Sequence, residues 1–160
     1  MSESWFKKRI SIEQVEESTD FAPKFDSHGY INVVTTDYET GELLMQGVMT
    51  KEALTLTIKH GEAVYYSRSR KCIWHKGKTS GLIQYIKEMR IDDDQDCIWL
   101  RVHIKKKASC HVGYRSCFYR SVPVGKDSEN QENLNLTFTE NEKVFDPKDV
   151  YGDAPNPTIL

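Results

Sequence analysis

Apolar residues recur at every second position in residues 98–104, and Trp99, Arg101 and His103 lie between them. This period is typical of a β-strand with one face buried and the other more polar. A less regular alternation runs through residues 83–91. The pattern therefore places the most regular strand of the chain in its second half.

The first half of the apolar region predicts a hairpin followed by a helix. Residues 30–35 are rich in β-prone side chains, and residues 38–42 read Tyr-Glu-Thr-Gly-Glu, which is typical of a turn, before a second apolar run at 43–45. Thr50 suits a helix N-cap, and Gly61 lies where a helix commonly ends. We expect one helix of about ten residues between them.

The chain divides into three regions by composition. Residues 1–24 are a mixed polar lead-in with a short helix expected around Ile12 and Val15, and residues 25–122 carry the dense apolar pattern. Residues 123–160 form an acidic polar tail that we expect to be largely mobile, because it offers little apolar area to offset chain entropy. The fold class predicted is α+β, a single β-rich domain with few helices.

Charge and composition narrow the function. Residues 1–120 carry 19 Lys and Arg against 16 Asp and Glu, whereas residues 121–160 carry 3 against 8. A mildly cationic body suits an anionic small molecule but lacks the dense basic stripe of a nucleic-acid binder. No segment approaches the ~18 apolar residues that span a bilayer, and no apolar leader follows the first charges. We expect a cytoplasmic protein with no nucleic-acid or membrane partner.

An aspartate run directly precedes the most regular strand. Asp92, Asp94 and Asp96 repeat with period two, so in an extended conformation their carboxylates point to one side. Such an oxygen-rich group suits a hard cation such as Mg²⁺. An acidic solvated turn between two strands is the alternative.

Two thiols and an imidazole fall within eight residues near the end of the apolar region. Cys110, His111 and Cys117 are ligand types that zinc selects, and their spacing is looser than that of a structural zinc finger. An incomplete ligand set fits a catalytic metal site, which keeps one position open for water. The alternative is that the cysteines are simply buried apolar residues.

A third segment combines cations, hydroxyls and glycines, the groups that hold phosphates in loops. Its candidate substrate-binding residues are Arg68, Ser69, Arg70, Lys76, Gly77, Thr79 and Ser80. A Walker A loop is excluded, because Cys72 stands where that motif needs its first glycine. A basic surface loop remains the alternative.

Together these motifs resemble the phosphoribosyl-AMP cyclohydrolases, enzymes of histidine biosynthesis. The resemblance covers about residues 25–120 and includes Gln84. It rests on segments 39–45 (ETGELLM), 66–70 (YSRSR), 74–81 (WHKGKTSG), 92–96 (DDDQD) and 110–120 (CHVGYRSCFYR). It implies a homodimer with active sites at the subunit interface, which uses zinc and magnesium to open the adenine ring of phosphoribosyl-AMP at the N1–C6 bond.

The resemblance also assigns metal ligands. Asp92, Asp94 and Asp96 match the magnesium ligands, and two further positions, Cys110 and Cys117, match zinc ligands. The third zinc cysteine of the family, donated across the dimer, corresponds to Asp93 in this chain. A carboxylate oxygen can ligate zinc, but Cys97 lies only four residues further on and is the rival third ligand.

The resemblance leads to a mechanism and leaves one alternative open. Water activated by zinc would attack C6 of the purine, with His111 as the catalytic group that moves protons. A zinc nucleobase deaminase is excluded, because its Pro-Cys-x-x-Cys segment is missing. A non-catalytic nucleotide-binding paralogue that has lost zinc is the alternative function.

Overall fold

A computed structural model describes residues 5–105, 108–129 and 132–160. The helices are α1 (Ile12–Glu17), α2 (Lys51–His60) and α3 (Pro147–Tyr151). The strands are β1 (Ile31–Asp37), β2 (Leu43–Met49), β3 (Val64–Ser67), β4 (Cys72–His75), β5 (Tyr85–Ile91), β6 (Cys97–His103), β7 (Arg120–Ser121) and β8 (Thr137–Phe138). A 3₁₀ turn spans Gly125–Ser128. Few helices beside mixed sheets confirm the α+β class.

The main sheet has four strands in the order β2-β1-β6-β5. Strands β1 and β2 form the predicted antiparallel hairpin, and β5 pairs antiparallel with β6. Strands β1 and β6 join the two hairpins and are parallel. The alternation predicted for residues 98–104 is confirmed, because Ile98, Leu100 and Val102 are fully buried while the residues between them are partly exposed.

Helix α2 packs on the core and has the predicted ends. The Thr50 hydroxyl accepts a hydrogen bond from the Ala53 amide at 3.2 Å, and Gly61 ends the helix with a left-handed φ of 66°. Thr57 then ties the helix to β3, since its hydroxyl accepts from the Val64 amide at 3.0 Å. The core beneath consists of Ile31, Val33, Leu44, Met49, Leu54, Tyr65, Ile98, Leu100 and Val102, with further apolar neighbours.

The lead-in segment is fastened to the turn between β5 and β6. The expected helix forms as α1, with Ser11 as its N-cap. Gln95, in the centre of the aspartate run, is buried; its amide nitrogen donates to the Val15 carbonyl at 2.9 Å and its amide oxygen accepts from the Ala22 amide at 2.8 Å. Because Gln95 has a positive φ of 57°, these contacts also hold a backbone conformation that glutamine rarely adopts.

The tail makes short elements that lie against the body. Strand β8 pairs antiparallel with β7, and the Thr139 amide donates to the Tyr119 carbonyl at 2.8 Å. Its mobility and the boundaries at residues 24 and 122 remain predictions. Across the described residues, no helix combines the length and apolar character needed to cross a membrane.

Candidate active site

A cavity of about 980 Å³ opens beside strands β2, β3 and β4. Aromatic side chains line it, among them Tyr66 and Trp74, and an aromatic ring can stack on a planar ligand. Most of the residues predicted to hold substrate or zinc lie along the same cavity, namely Arg68, Ser69, Arg70, Gly77, Thr79, Ser80, His111 and Cys117. The structure thus brings together three segments that are separated in the sequence.

The basic side of the cavity depends on tight backbone turns. Arg68 and Arg70 lie in the turn between β3 and β4, where the Arg70 amide donates to the Ser67 hydroxyl at 3.3 Å. Gly77 has φ of 87°, and a Cβ there would overlap the backbone of Ile83. Glycine is therefore required at position 77 for the loop to fold back against the backbone of Leu82 and Ile83.

The two thiols of the segment 110–117, which we call the thiol loop, lie side by side. Cys110 is buried and Cys117 is exposed, and their sulfurs share a hydrogen bond. The Cys117 thiol lowers the pKa of Cys110 to about 6, and Lys76 assists. The same pairing raises the pKa of Cys117, because two neighbouring thiolates repel each other. One sulfur is therefore ionised at neutral pH, as a zinc ligand must be.

A buried polar network supports the thiol loop from below. The Gln84 amide donates to the Ser109 hydroxyl at 3.0 Å and accepts from the Tyr65 hydroxyl at 2.6 Å. The Tyr65 hydroxyl is also 2.7 Å from the Thr35 hydroxyl. All four residues are buried. Because buried polar groups need their partners, this network fixes the residue next to Cys110.

Lys76 lies behind the thiols and is not among the residues that line the cavity. It is 2% exposed, and its Nζ donates to the Ser109 carbonyl at 2.7 Å. Burial lowers the pKa of Lys76 to about 8, although the two thiols oppose this shift. The buried ammonium therefore stabilises negative charge on sulfur. A direct contact between Lys76 and substrate remains a prediction.

His111 faces the cavity with one free ring nitrogen. Its Nε2 is buried and has no hydrogen-bond partner among the described residues, while the Asn156 side chain reaches the ring. Burial lowers the pKa of His111, and Lys76 lowers it further. The imidazole is therefore neutral at physiological pH and free to accept a proton.

The aspartate turn, residues 92–96, is a separate group of carboxylates. Oxygen atoms of Asp92, Asp94 and Asp96 lie within 4.8 Å of one another, and all three residues are exposed. The Asp92 carboxylate also accepts from the amides of Asp96 at 2.9 Å and Cys97 at 3.0 Å. Burial and the two neighbouring aspartates raise the pKa of Asp96. A cation of the Mg²⁺ type would relieve that repulsion.

Register places the aspartate turn and the thiol loop at opposite ends of the sheet. Cys97 pairs with Asn32 at the start of β1. The Cys117 amide donates to the Leu44 carbonyl at 2.7 Å, and Leu44 lies beside the far end of β1. With about 3.3 Å per residue and about 4.8 Å per strand, the two groups are on the order of 15 Å apart. Within the described part of one chain, only the three aspartates form a group of three metal-ligating side chains.

Sequence reasoning missed the contribution of the tail to this cavity. Tyr151 and Asn156 line it, and the Tyr151 side chain lies within hydrogen-bonding range of Ser80. The one available signal was Gly113, a glycine between the two cysteines. It has φ of 109°, and a Cβ there would overlap the Phe145 carbonyl oxygen.

Comparison with known proteins identifies relatives over most of the chain. Residues 45–119 match the family model described as phosphoribosyl-AMP cyclohydrolase. A protein of that name from Rhodopseudomonas palustris is 48% identical over 143 residues, covering 89% of this chain and 92% of its own. Its counterpart in Nitrobacter winogradskyi is 45% identical over 141 residues (88% and 94%), and that of Rhizobium etli strain CFN 42 is 49% identical over 139 residues (86% and 89%).

Proposed function

The chain belongs to the phosphoribosyl-AMP cyclohydrolase family of hydrolases that act on a cyclic amidine, and we propose that it opens the adenine ring of phosphoribosyl-AMP in histidine biosynthesis by hydrolysing the N1–C6 bond. The observation that carries this proposal is that the Cys117 thiol, which is hydrogen-bonded to Cys110, lines the same cavity as two arginines and several aromatic rings. Such a cavity offers an anionic purine nucleotide both stacking and charge partners.

The thiol loop fits zinc. Cys110 and Cys117 present adjacent sulfurs, and one of them is ionised at neutral pH. Thiolate is a ligand that zinc prefers. When bound, zinc lowers the pKa of a coordinated water to about 7, which supplies a nucleophile at neutral pH. Residues of this chain then have to hold the purine close to the two thiols.

The aspartate turn fits magnesium in the same way. Its three carboxylates converge on a volume of ionic size and are accessible from solvent. Asp92 has part of its charge already neutralised by two backbone amides. The remaining repulsion is concentrated on Asp96, so a hard divalent cation would stabilise the turn.

Two copies of the chain are needed to complete the site. Because the thiol loop and the aspartate turn are on the order of 15 Å apart, neither Asp93 nor Cys97 reaches Cys110 in its own chain. A homodimer in which the turn of one copy meets the thiol loop of the other would supply the third zinc ligand. Cys97 lies on the outer side of β6, beside Trp99 and away from the core.

His111 and residues 68–80, which we call the cationic loop, have distinct tasks in this scheme. The Nε2 of His111, which has no partner in the part of the chain that the structure describes, accepts and returns a proton as the ring opens. Arg68 and Arg70, with the hydroxyls of Thr79 and Ser80, bind the anionic ends of phosphoribosyl-AMP. Buried Lys76 favours the thiolate form of the neighbouring cysteines. Location in the cytoplasm remains a prediction.

Metal content and turnover test the proposed function together. The purified protein is expected to contain zinc, to convert phosphoribosyl-AMP with a change in absorbance, and to lose that activity on chelation and regain it with zinc. A protein without zinc that binds the nucleotide but never turns it over would favour the non-catalytic paralogue.

The third zinc ligand is identified by two matched variants. Asp93→Ala and Cys97→Ala each remove one candidate side chain from the same turn region. The variant that lowers zinc content per dimer identifies the ligand. If both variants hold as much zinc as the intact protein, neither residue is the third ligand. Cys72→Ala is the control, because Cys72 is exposed and lies on β4.

A further inference from the structure

The C-terminal segment, residues 147–159, forms one side of the active-site cavity. It supplies ten of the 26 residues that line the cavity, including Lys148, Tyr151 and Asn156. The catalytic scheme derived above uses none of these residues. A segment that contributes so much of the lining determines how far a bound nucleotide is enclosed.

Specific contacts hold the C-terminal segment in place at its beginning. The Val144 amide donates to the Gly113 carbonyl at 2.7 Å, which ties the preceding residues to the thiol loop. The aromatic rings of Phe145 and Tyr151 lie 6.3 Å apart. Because Gly113 alone among the thiol-loop residues lacks a side chain, the Phe145 carbonyl just before the segment approaches there without a steric clash.

Further contacts fasten the segment to two walls of the cavity. Tyr151 reaches Ser80 on the cationic loop, and Asn156 reaches the His111 ring. Two prolines, Pro155 and Pro157, flank Asn156. Proline restricts the backbone and so reduces the entropy that is lost when this part of the chain is held against the body.

Charge is distributed unevenly along the segment. Lys148 lines the cavity together with Arg68 and Arg70, whereas Asp149 and Asp153 are not among the lining residues. An acidic tail attracted only by the two arginines would turn its carboxylates towards them. Instead, Lys148, the one lysine of residues 147–159, lines the cavity with them. Three cations around one cavity repel each other unless an anion lies between them.

We propose that the C-terminal segment is a wall of the substrate site and that Lys148 binds a phosphate group of the nucleotide. The nature of that nucleotide rests on the proposed function. A lysine at this position offers a mobile ammonium group, which binds phosphate as a point charge and complements the two arginines.

Matched charge variants test the proposal. Lys148→Ala is expected to raise KM for phosphoribosyl-AMP about tenfold, the effect of one lost charge-assisted hydrogen bond, with kcat within about twofold. Lys148→Arg should restore most of the affinity. Lys126→Ala removes the same charge from an exposed position of the tail that does not line the cavity, and it should leave KM unchanged.

Truncation tests the wall as a whole. A chain ending at Asp146 is expected to keep its zinc content and to show a KM raised more than tenfold. An unchanged KM in both the truncated chain and Lys148→Ala would overturn the proposal, and so would a higher kcat/KM, which would indicate a blocking segment. If the truncated chain does not fold, the Lys148→Ala and Lys148→Arg pair decides.

Binding of AMP separates this proposal from the proposed function. Calorimetric titration with AMP measures affinity without any turnover. If the intact chain never converts phosphoribosyl-AMP but truncation still weakens AMP binding, the proposed function is wrong, whereas the C-terminal segment is still part of the nucleotide site. If turnover is normal and Lys148→Ala binds AMP and substrate as the intact chain does, the assignment of Lys148 to the substrate site is wrong.

Discussion

The aspartate turn and the thiol loop are both candidate metal sites, yet they are built differently. The three aspartates are exposed and come from five consecutive residues, and the Asp92 carboxylate accepts from amides at most five positions away. The backbone of their turn is also tied to the lead-in segment through Gln95. The thiol loop rests on Gln84 and Leu44, which lie far away in the sequence. The metal-ligating side chains of the aspartate turn are therefore close in the sequence, whereas the two thiols are brought together by the folded domain.

The two regions also differ in the metal ligands that they supply. The aspartate turn brings three hard ligands together, while the thiol loop brings two soft ligands and an imidazole nitrogen that has no partner among the described residues. The two regions lie at opposite ends of one sheet, so within one chain the soft ligands of the thiol loop and the hard ligands of the aspartate turn stay apart. The comparison predicts that damage to the two regions will have different consequences.

The largest effect is expected from Cys110→Ser. Loss of the buried thiolate should reduce both zinc content and kcat/KM by more than about 10²-fold, because a removed ligand costs more than a disturbed supporting residue. Zinc analysis and steady-state kinetics measure both quantities. Cys72→Ser removes an exposed cysteine and serves as the control. A Cys110→Ser enzyme with normal zinc would refute the assignment of the thiol loop.

The next largest effect is expected from a change in Gln84, which belongs to the buried polar network beneath the thiol loop. Gln84→Ala leaves the buried Ser109 hydroxyl without its partner and the buried Tyr65 hydroxyl with Thr35 alone, so the free energy of unfolding should fall by about 2 to 4 kcal/mol. Zinc content should fall as well. Gln95→Ala, the matching change at the aspartate turn, should destabilise the lead-in segment and lower zinc content less than Gln84→Ala does, because it disturbs only the third zinc ligand. Denaturant unfolding and metal analysis compare the pair.

A smaller effect is expected from Asp96→Asn, which should weaken magnesium binding without destabilising the metal-free protein. Magnesium affinity should fall about tenfold, since one charged ligand is lost. The raised pKa of Asp96 means that folding disfavours its ionised form, so stability from this residue increases as pH falls through that pKa. A neutral asparagine removes the repulsion, and the melting temperature without metal should stay the same or rise. A clear decrease would contradict the repulsion.

The smallest effect concerns reactivity and leaves the fold intact. With a pKa of about 6, Cys110 should be alkylated by iodoacetamide at pH 7 in the metal-free protein, and the rate should increase around pH 6. Cys97 is the internal control, because burial and the neighbouring aspartates raise its pKa. Peptide mass analysis distinguishes the two sites. Because Cys110 is buried and Cys97 is partly exposed, the pH dependence of each rate is compared and not the rate itself. A lower midpoint for Cys97 than for Cys110 would contradict the electrostatic assignment.

Sequence patterns predicted the local parts of this molecule well. The β1–β2 hairpin, the ends of α2 and the buried face of β6 follow from neighbouring residues, and all are confirmed. The parallel pairing of β1 with β6 could not be predicted, because it joins residues more than 60 positions apart and leaves no periodic signal.

The candidate site shows the same limit. The residue types of the thiol loop, the aspartate turn and the cationic loop were visible in the sequence, because ligand chemistry depends on side-chain identity. Their relative positions were not, since these depend on sheet register. The burial of Lys76 and the approach of Asn156 to His111 are likewise products of tertiary packing, and polar side chains at those positions carry no sign of it.

One mixing experiment tests most directly whether the aspartate turn of one copy completes the thiol loop of another. Cys110→Ser and the triple variant Asp92→Asn, Asp94→Asn, Asp96→Asn should each be inactive alone. Unfolded together and refolded, they should recover about a quarter of the intact activity, because half of the dimers are mixed and each mixed dimer has one undamaged site. No recovery, despite mixed dimers detected by mass, would contradict a site shared between copies.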